Sequence, residues 1–177
     1  MIIILTLILF TSGLIIAASV TDILRMKIPN ILPALIIGGF VVAWGIKMAL
    51  GLDVFQSATS HFATALVVLV IMMILFFTGV FGGGDAKLIP AIALWVGVQG
   101  LPSFLMVTSV VGGVLALISI TLGKTKLGQK ILTKLIKKPA LQNGWVGEMV
   151  KGRNTIPYGI AIATGGIVAF RTVGYLP

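Results

Sequence analysis

Apolar runs of membrane-crossing length dominate the chain, at residues 2–20, 31–50, 62–81, 88–122 and 156–173. A helix needs roughly 20 such residues to cross the hydrocarbon core. Backbone in lipid must satisfy its own hydrogen bonds, so runs of this kind fold as helices. Of the 177 residues 58% are hydrophobic and 10% charged, and the mean hydropathy is +1.17. This composition excludes an ordinary soluble domain. The expected fold is all-α, a polytopic membrane helix bundle in a single domain over residues 1–177, with no internal repeat. The first run has neither a basic leading region nor an Ala-x-Ala cleavage site, so it reads as a retained span and not a removed signal peptide. With no cysteine, disulfides, a zinc–thiolate cluster and a cysteine nucleophile are all excluded.

The run from Leu88 to Leu122 is too long for one span. Gln99-Gly100-Leu101-Pro102 combines Gly and Pro, which favours a turn there. Splitting the run gives about six spans, with the fourth helix beginning near Gly84 and Asp85 in its first turn. Charge supports the split. Six spans put the loops at 21–30, 82–87 and 123–155 on one side. Those loops hold eleven of the thirteen Lys and Arg residues, all but Lys47 and Arg171. Lys and Arg in excess mark the cytoplasmic side, which places both termini outside and the protein in the inner (plasma) membrane as a multi-pass chain. The net charge of +9 is thereby read as membrane orientation, with no nucleic acid partner.

Within the basic loop, Lys124 to Lys138 has its own pattern. Leu127, Ile131 and Leu135 recur every four residues, with Leu132 and Ile136 beside them, and lysines fill the other positions. The segment reads as an amphipathic basic helix at the interface, on anionic lipid.

Only four acids occur: Asp22, Asp53, Asp85 and Glu148. Asp22 and Asp85 stand at the edges of apolar runs and share the cytoplasmic boundary. Ionisable groups there are costly, which makes them functional candidates. Two carboxylates brought together cannot both ionise cheaply, so the pair holds one proton between them. Such a dyad can activate a water as general base and then protonate a leaving amine, with no metal or other cofactor. The glycines of Gly82-Gly83-Gly84-Asp85 carry no Cβ, so they allow close approach and a helix break at membrane depth. A carboxyl separation of roughly 3–5 Å is expected when both act on one water.

These residues resemble a known family. Gly82-Gly83-Gly84-Asp85 is similar to the Gly-x-Gly-Asp signature of intramembrane aspartyl proteases, and with Ala86-Lys87-Leu88 it resembles that of the type IV prepilin peptidases. Asp22 followed by Ile28-Pro29-Asn30 resembles the family's first catalytic segment. Ile156-Pro157-Tyr158-Gly159-Ile160-Ala161 resembles the opening of its last helix. The chain's length is similar to that of the small branch serving Flp-type tight-adherence pili. The resemblance implies an endopeptidase that cuts prepilin or pilin-like precursors at the cytoplasmic face, typically after a glycine. It implies Asp22 and Asp85 as the catalytic pair. Gly82, Gly84, Lys87, Pro157, Tyr158 and Gly159 are the expected substrate-binding or site-shaping residues. Larger relatives also methylate the new N-terminus and carry a cysteine tetrad, which this chain lacks, so that activity is not expected.

Other readings stay open at this level. Archaeal preflagellin peptidases share the motif set. A proton-coupled small transporter could use the same two aspartates, although sites of that kind lie near the midplane. A non-enzymatic assembly protein is a third class. Presenilin-type proteases add a Pro-Ala-Leu motif, and Pro139-Ala140-Leu141 occurs in a lysine-rich loop, but the tripeptide recurs at Pro33-Ala34-Leu35 and Thr21 stands where the partner tyrosine would precede Asp22, so that resemblance fails in its context. Lys87 could hold a substrate carbonyl, bias the dyad or anchor the loop. Asn30 with Pro29 reads as the start of a helix. Pro157 and Tyr158 read as shaping the last helix entry. His61 reads as solvated or capping near an outer helix end, Asp53 as solvated, and Glu148 as pairing with Lys151 or Arg153.

Overall fold

The computed structural model describes residues 2–136, 142, 144–151 and 156–176. It is all-helical, with no strand among the described residues. The helices are α1 (Ile2–Arg25), α2 (Ile31–Leu50), α3 (Ala58–Phe77), α4 (Asp85–Lys124), α5 (Lys126–Leu135), α6 (Trp145–Val150) and α7 (Tyr158–Thr172).

Four helices, α1 to α4, are long and apolar enough to cross a membrane. No more than a third of the most apolar window of each is buried. Leu9, Phe10, Val41, Val70, Ile74 and Met106 instead point outward. Outward-facing apolar side chains on this scale suit lipid and not water.

The helix ends follow local chemistry. α1 runs five residues past the expected span and carries Asp22 in its last turn, where a 21–30 loop was expected. Its apolar face continues inward through Ala18 and Asp22, so packing prolongs the helix beyond the apolar run. α2 has the expected bounds and closes on Gly51, whose φ of 61° lets its N–H reach the Lys47 carbonyl. α3 starts four residues earlier than expected. The Ser57 hydroxyl accepts from the Ser60 N–H, and this cap outweighs the polar first turn.

The long fourth helix breaks at Gly97, with φ 60° and ψ −168°, and not at 99–102. A positive φ of this size strongly favours glycine. Pro102 lies five residues into the following limb and does not break it. The first limb, residues 85–96, is about 18 Å long and α7 about 22 Å. Both fall short of a hydrocarbon core of about 30 Å. The expected six spans therefore become α1, α2, α3 and the second limb of α4 at crossing length, plus two short central helices. The first limb is buried continuously from Leu88 onward, and α7 packs chiefly on α4 and α1.

α7 reaches its neighbours through small residues. A Cβ on Gly112 would meet the Tyr158 ring, one on Gly100 would meet Val173, and one on Gly165 would meet the backbone at Phe104. Small residues let helix backbones approach where lipid provides no hydrophobic drive. At the end of the bundle away from Asp22, Phe40, Trp44, Phe55, Trp95, Phe170 and Tyr175 form one aromatic cluster. The Trp95 indole donates to the Ile36 carbonyl at 2.8 Å, which satisfies its polar tip.

His61 belongs to this cluster. It is fully buried, not solvated or capping as expected, and its Nδ1 lies 2.8 Å from the Leu94 carbonyl. Hydropathy cannot register such a partner, because it comes from another helix.

The amphipathic basic helix forms as α5. Leu132 and Ile136 pack with Leu122, Trp145, Val146 and Met149, while Leu127, Ile131 and Leu135 stay exposed. α6 is a further helix inside the stretch read as loop. Residues 137–141 and 152–155 lie outside the described residues, and with them Pro139-Ala140-Leu141, Lys137, Lys138 and Arg153.

Candidate active site

Asp22 projects from the last turn of α1 toward the start of α7. Its Oδ2 accepts from the Gly159 N–H at 2.8 Å. That N–H is one of the donors that a helix N-terminus leaves without an intrahelical partner. The contact requires glycine. A Cβ at position 159 would stand 2.9 Å from the Asp22 Cβ and 3.0 Å from Oδ2. Asp22 is thereby buried, at 7% exposure, with its carboxyl anchored on one oxygen.

Asp85 is the first residue of α4, where the sequence placed it. The chain before it makes a tight approach, with Ala86 N–H donating to the Gly82 carbonyl and Leu88 N–H to that of Gly84. Each glycine of the run is held by space. A Cβ on Gly82 would lie 3.3 Å from Asp85 Oδ2, one on Gly83 would lie 3.2 Å from the Phe76 ring, and one on Gly84 would lie 2.9 Å from Ile28 Cβ. None of the three has a positive φ, so close contact and not unusual backbone explains them.

Asp22 and Asp85 line the same cleft, of about 290 Å³, with Met26, Lys27, Ile28, Gly82, Gly83 and Gly84. Three of its eight lining residues are glycines, whose backbone could pair with the N–H and C=O groups of an extended peptide. A larger recess of about 380 Å³ opens at the other end of the bundle, lined mainly by apolar side chains including Ile4, Ile8 and Val54. The two aspartates are remote from it.

The remaining expected residues divide. Gly82 and Gly84 line the cleft, and Gly159 holds Asp22. Tyr158 packs edge-on against Phe81 with centroids 5.3 Å apart, so it braces the residue before the glycine run. Pro157 is buried immediately before α7 and makes no side-chain cap. Lys87 is not among the cleft residues. Its Nζ donates to Asn30 Oδ1 at 3.0 Å. Asn30 in turn makes no capping hydrogen bond to α2. This pair ties the first turn of α4 to the start of α2, a contact that sequence separation concealed. Lys87→Ala is accordingly expected to keep cleavage within about tenfold, whereas a lysine acting on the reacting groups would cost about 10²-fold or more. Initial rates on membrane-embedded protein decide between these.

Met26 and Lys27 were not singled out from sequence. Met26 has φ 50°, unusual for a residue other than glycine, and no sequence signal marks it. Ile28 was noted only as part of a motif, and its buried side chain forms the seat for Gly84. Gly144 abuts the backbone of Ile23 and Leu24, so α6 leans on the turn that carries Asp22. Asp53 is exposed, and Glu148 pairs with Lys151 at 3.0 Å. Among the described residues no three His, Cys, Asp or Glu side chains gather in a way that could hold a metal ion.

The type IV leader peptidase family matches residues 8–117, well over half of the chain. The protein belongs to that family. Membership makes it a peptidase, and the matched segment contains Asp22, Asp85 and the glycine run between them. The match stops before α7, so the contribution of Gly159 rests on the fold of this peptidase alone. Comparison with curated proteins and with solved structures gives no match.

Proposed function

We propose that the protein is a membrane aspartyl endopeptidase that removes the leader from prepilins of the Flp type at the cytoplasmic face of the inner membrane, without methyl transfer. The observation that carries the reading is the one cleft lined by both Asp22 and Asp85. Family membership and the outward-facing apolar helices support it.

In the proposed chemistry the dyad holds one proton. The ionised carboxyl takes a proton from a water, whose oxygen attacks the scissile carbonyl carbon, and the protonated carboxyl gives its proton to the carbonyl oxygen. The gem-diol collapses as one carboxyl donates its proton to the amide nitrogen and the other takes a proton from a gem-diol hydroxyl, so that the C–N bond breaks, a carboxylic acid and an amine leave, and the dyad again holds one proton. The pair has two macroscopic pKa values, not one per residue. Gly82 and Gly84 let the chain pack closely on Asp85 and Ile28, and both line the cleft that would receive the substrate backbone.

On this reading all of 1–177 serves one peptidase domain, and α5 rests on anionic headgroups. Its exposed Leu127, Ile131 and Leu135 beside exposed Lys130 and Lys134 support that placement. Topology follows from the distribution of basic residues. Single cysteines replacing Leu24 and Lys130 are expected to label from the cytoplasmic side, and one replacing Asp53 from the outside. Lys130→Cys labelling from outside would overturn the orientation.

The deciding experiment presents liposome-embedded protein with a synthetic Flp-type precursor and follows product mass. A single shortened product is expected, and it should persist in EDTA because the mechanism uses no metal. An intact precursor in the presence of folded protein would sink the assignment, as would activity lost to EDTA and restored by metal.

A further inference from the structure

The break at Gly97 leaves one rung of the fourth helix open. In an unbroken helix the Val98 N–H would donate to the Leu94 carbonyl. Both halves of that rung are instead caught by two consecutive residues of α3. The Ser60 hydroxyl oxygen accepts from the Val98 N–H at 3.3 Å, and His61 Nδ1 meets the Leu94 carbonyl at 2.8 Å. The Ser60 hydroxyl donates onward to Gln56 Oε1 at 2.8 Å, so its own proton is satisfied.

A carbonyl can only accept, so Nδ1 carries the proton and His61 is held in that tautomer. Its Nε2 has no partner among the described residues. Phe40, Trp44 and Phe55 surround the ring at centroid distances of 5.2, 5.8 and 5.8 Å. A fully buried imidazole with one nitrogen idle is costly, and the single bond it does make is to the broken rung. The fit is tight, since a Cβ on Gly97 would lie 3.2 Å from His61 Nδ1 and 3.3 Å from Ser60 Oγ.

We propose that Ser60 and His61 are positioning residues that splint the helix break and thereby set the depth and rotation of Asp85. The first limb of α4 is a short rod with Asp85 at one end and the splinted rung at the other. It is buried along nearly its whole length, so a shift at Leu94 has no slack to absorb it before Asp85. A backbone N–H or carbonyl left without a partner is costly, so removing either catcher drives the limb to slide or rewind until the groups are met. The catalytic consequence rests on the peptidase reading above, while the structural consequence does not.

Two readouts separate these. Spin labels on cysteines replacing Lys27 and Lys87 report the limb against the end of α1 without any substrate. In that background His61→Phe, which keeps the ring but has no N–H, and Ser60→Ala are expected to shift or broaden the label distance. His61→Asn, whose amide can donate in place of Nδ1, and Ser60→Thr are expected to restore it. In the unlabelled protein the first two substitutions are expected to lower kcat about 10²-fold with KM little changed, as a misplacement of about 1 Å does. An unchanged label distance in His61→Phe and Ser60→Ala would overturn the splint. So would a lost kcat that neither Asn nor Thr recovers, since that marks general destabilisation. Failure of the parent protein to cut any precursor would instead count against the peptidase reading and leave the distance result to decide the splint.

Discussion

Asp22→Asn and Asp85→Asn are each expected to lower cleavage by about 10³-fold or more while the protein still inserts and folds. Asparagine has the shape of aspartate but cannot take a proton from water. At position 22 the amide oxygen can still accept from the Gly159 N–H, so the tie to α7 survives and the loss is chemical. At position 85 the residue opens a helix, where asparagine is well tolerated. Removing a charge beside lipid does not oppose insertion. Initial rates on liposome-embedded protein measure the effect, with membrane extraction confirming insertion. Asp53→Asn is the matched control, because that acid is exposed in the α2–α3 connection and remote from the cleft residues. Normal processing by either dyad variant would end the two-aspartate mechanism.

Gly159→Ala is expected to cost about 10²-fold in kcat, the scale of a small displacement at a reacting group. The added methyl would stand 2.9 Å from Asp22 Cβ, closer than packed carbons come, and the partner is the stem of the side chain and not a flexible tip. Either α7 backs away from α1 or the Asp22 carboxyl rotates off the Gly159 N–H. Both outcomes leave the overall bundle standing, since α7 also packs along the length of α4. Gly13→Ala, at an exposed position of α1 with nothing within 4 Å of the new Cβ, is expected to leave the rate unchanged. Comparing kcat for the two alanine variants, with thermal midpoints as the stability reference, checks the claim. A Gly159→Ala protein as fast as the parent would show that the anchored Asp22 carboxyl is not needed for turnover.

Several features of this protein followed from sequence because they depend on one residue or one short segment at a time. Hydropathy alone identified a membrane helix bundle, and α2 has the bounds its apolar run dictated. Asp85 opens α4 directly after the glycine run, because a stretch without side chains followed by an apolar run has few other ways to fold, although α3 already stops at Phe77, short of the expected 81. The basic amphipathic segment formed a helix for the same local reason.

Other features were decided only by packing. Gln99-Gly100-Leu101-Pro102 held the stronger turn signal, yet the chain turned at Gly97, because Ser60 and His61 stand beside that position to receive the freed N–H and carbonyl. Lys87 and Asn30 are 57 positions apart, and Asp22 and Gly159 are 137 apart. No local pattern could pair them, since which side chains meet depends on the rotation of each helix about its axis. Tertiary structure likewise turned His61 from an outer-end polar residue into the centre of an aromatic cluster. Sequence fixes where backbone can leave a helix cheaply. Which of those exits is used, and which carboxylate meets which N–H, is settled by the partners that other helices bring, because in lipid an unmet backbone group is too costly to remain.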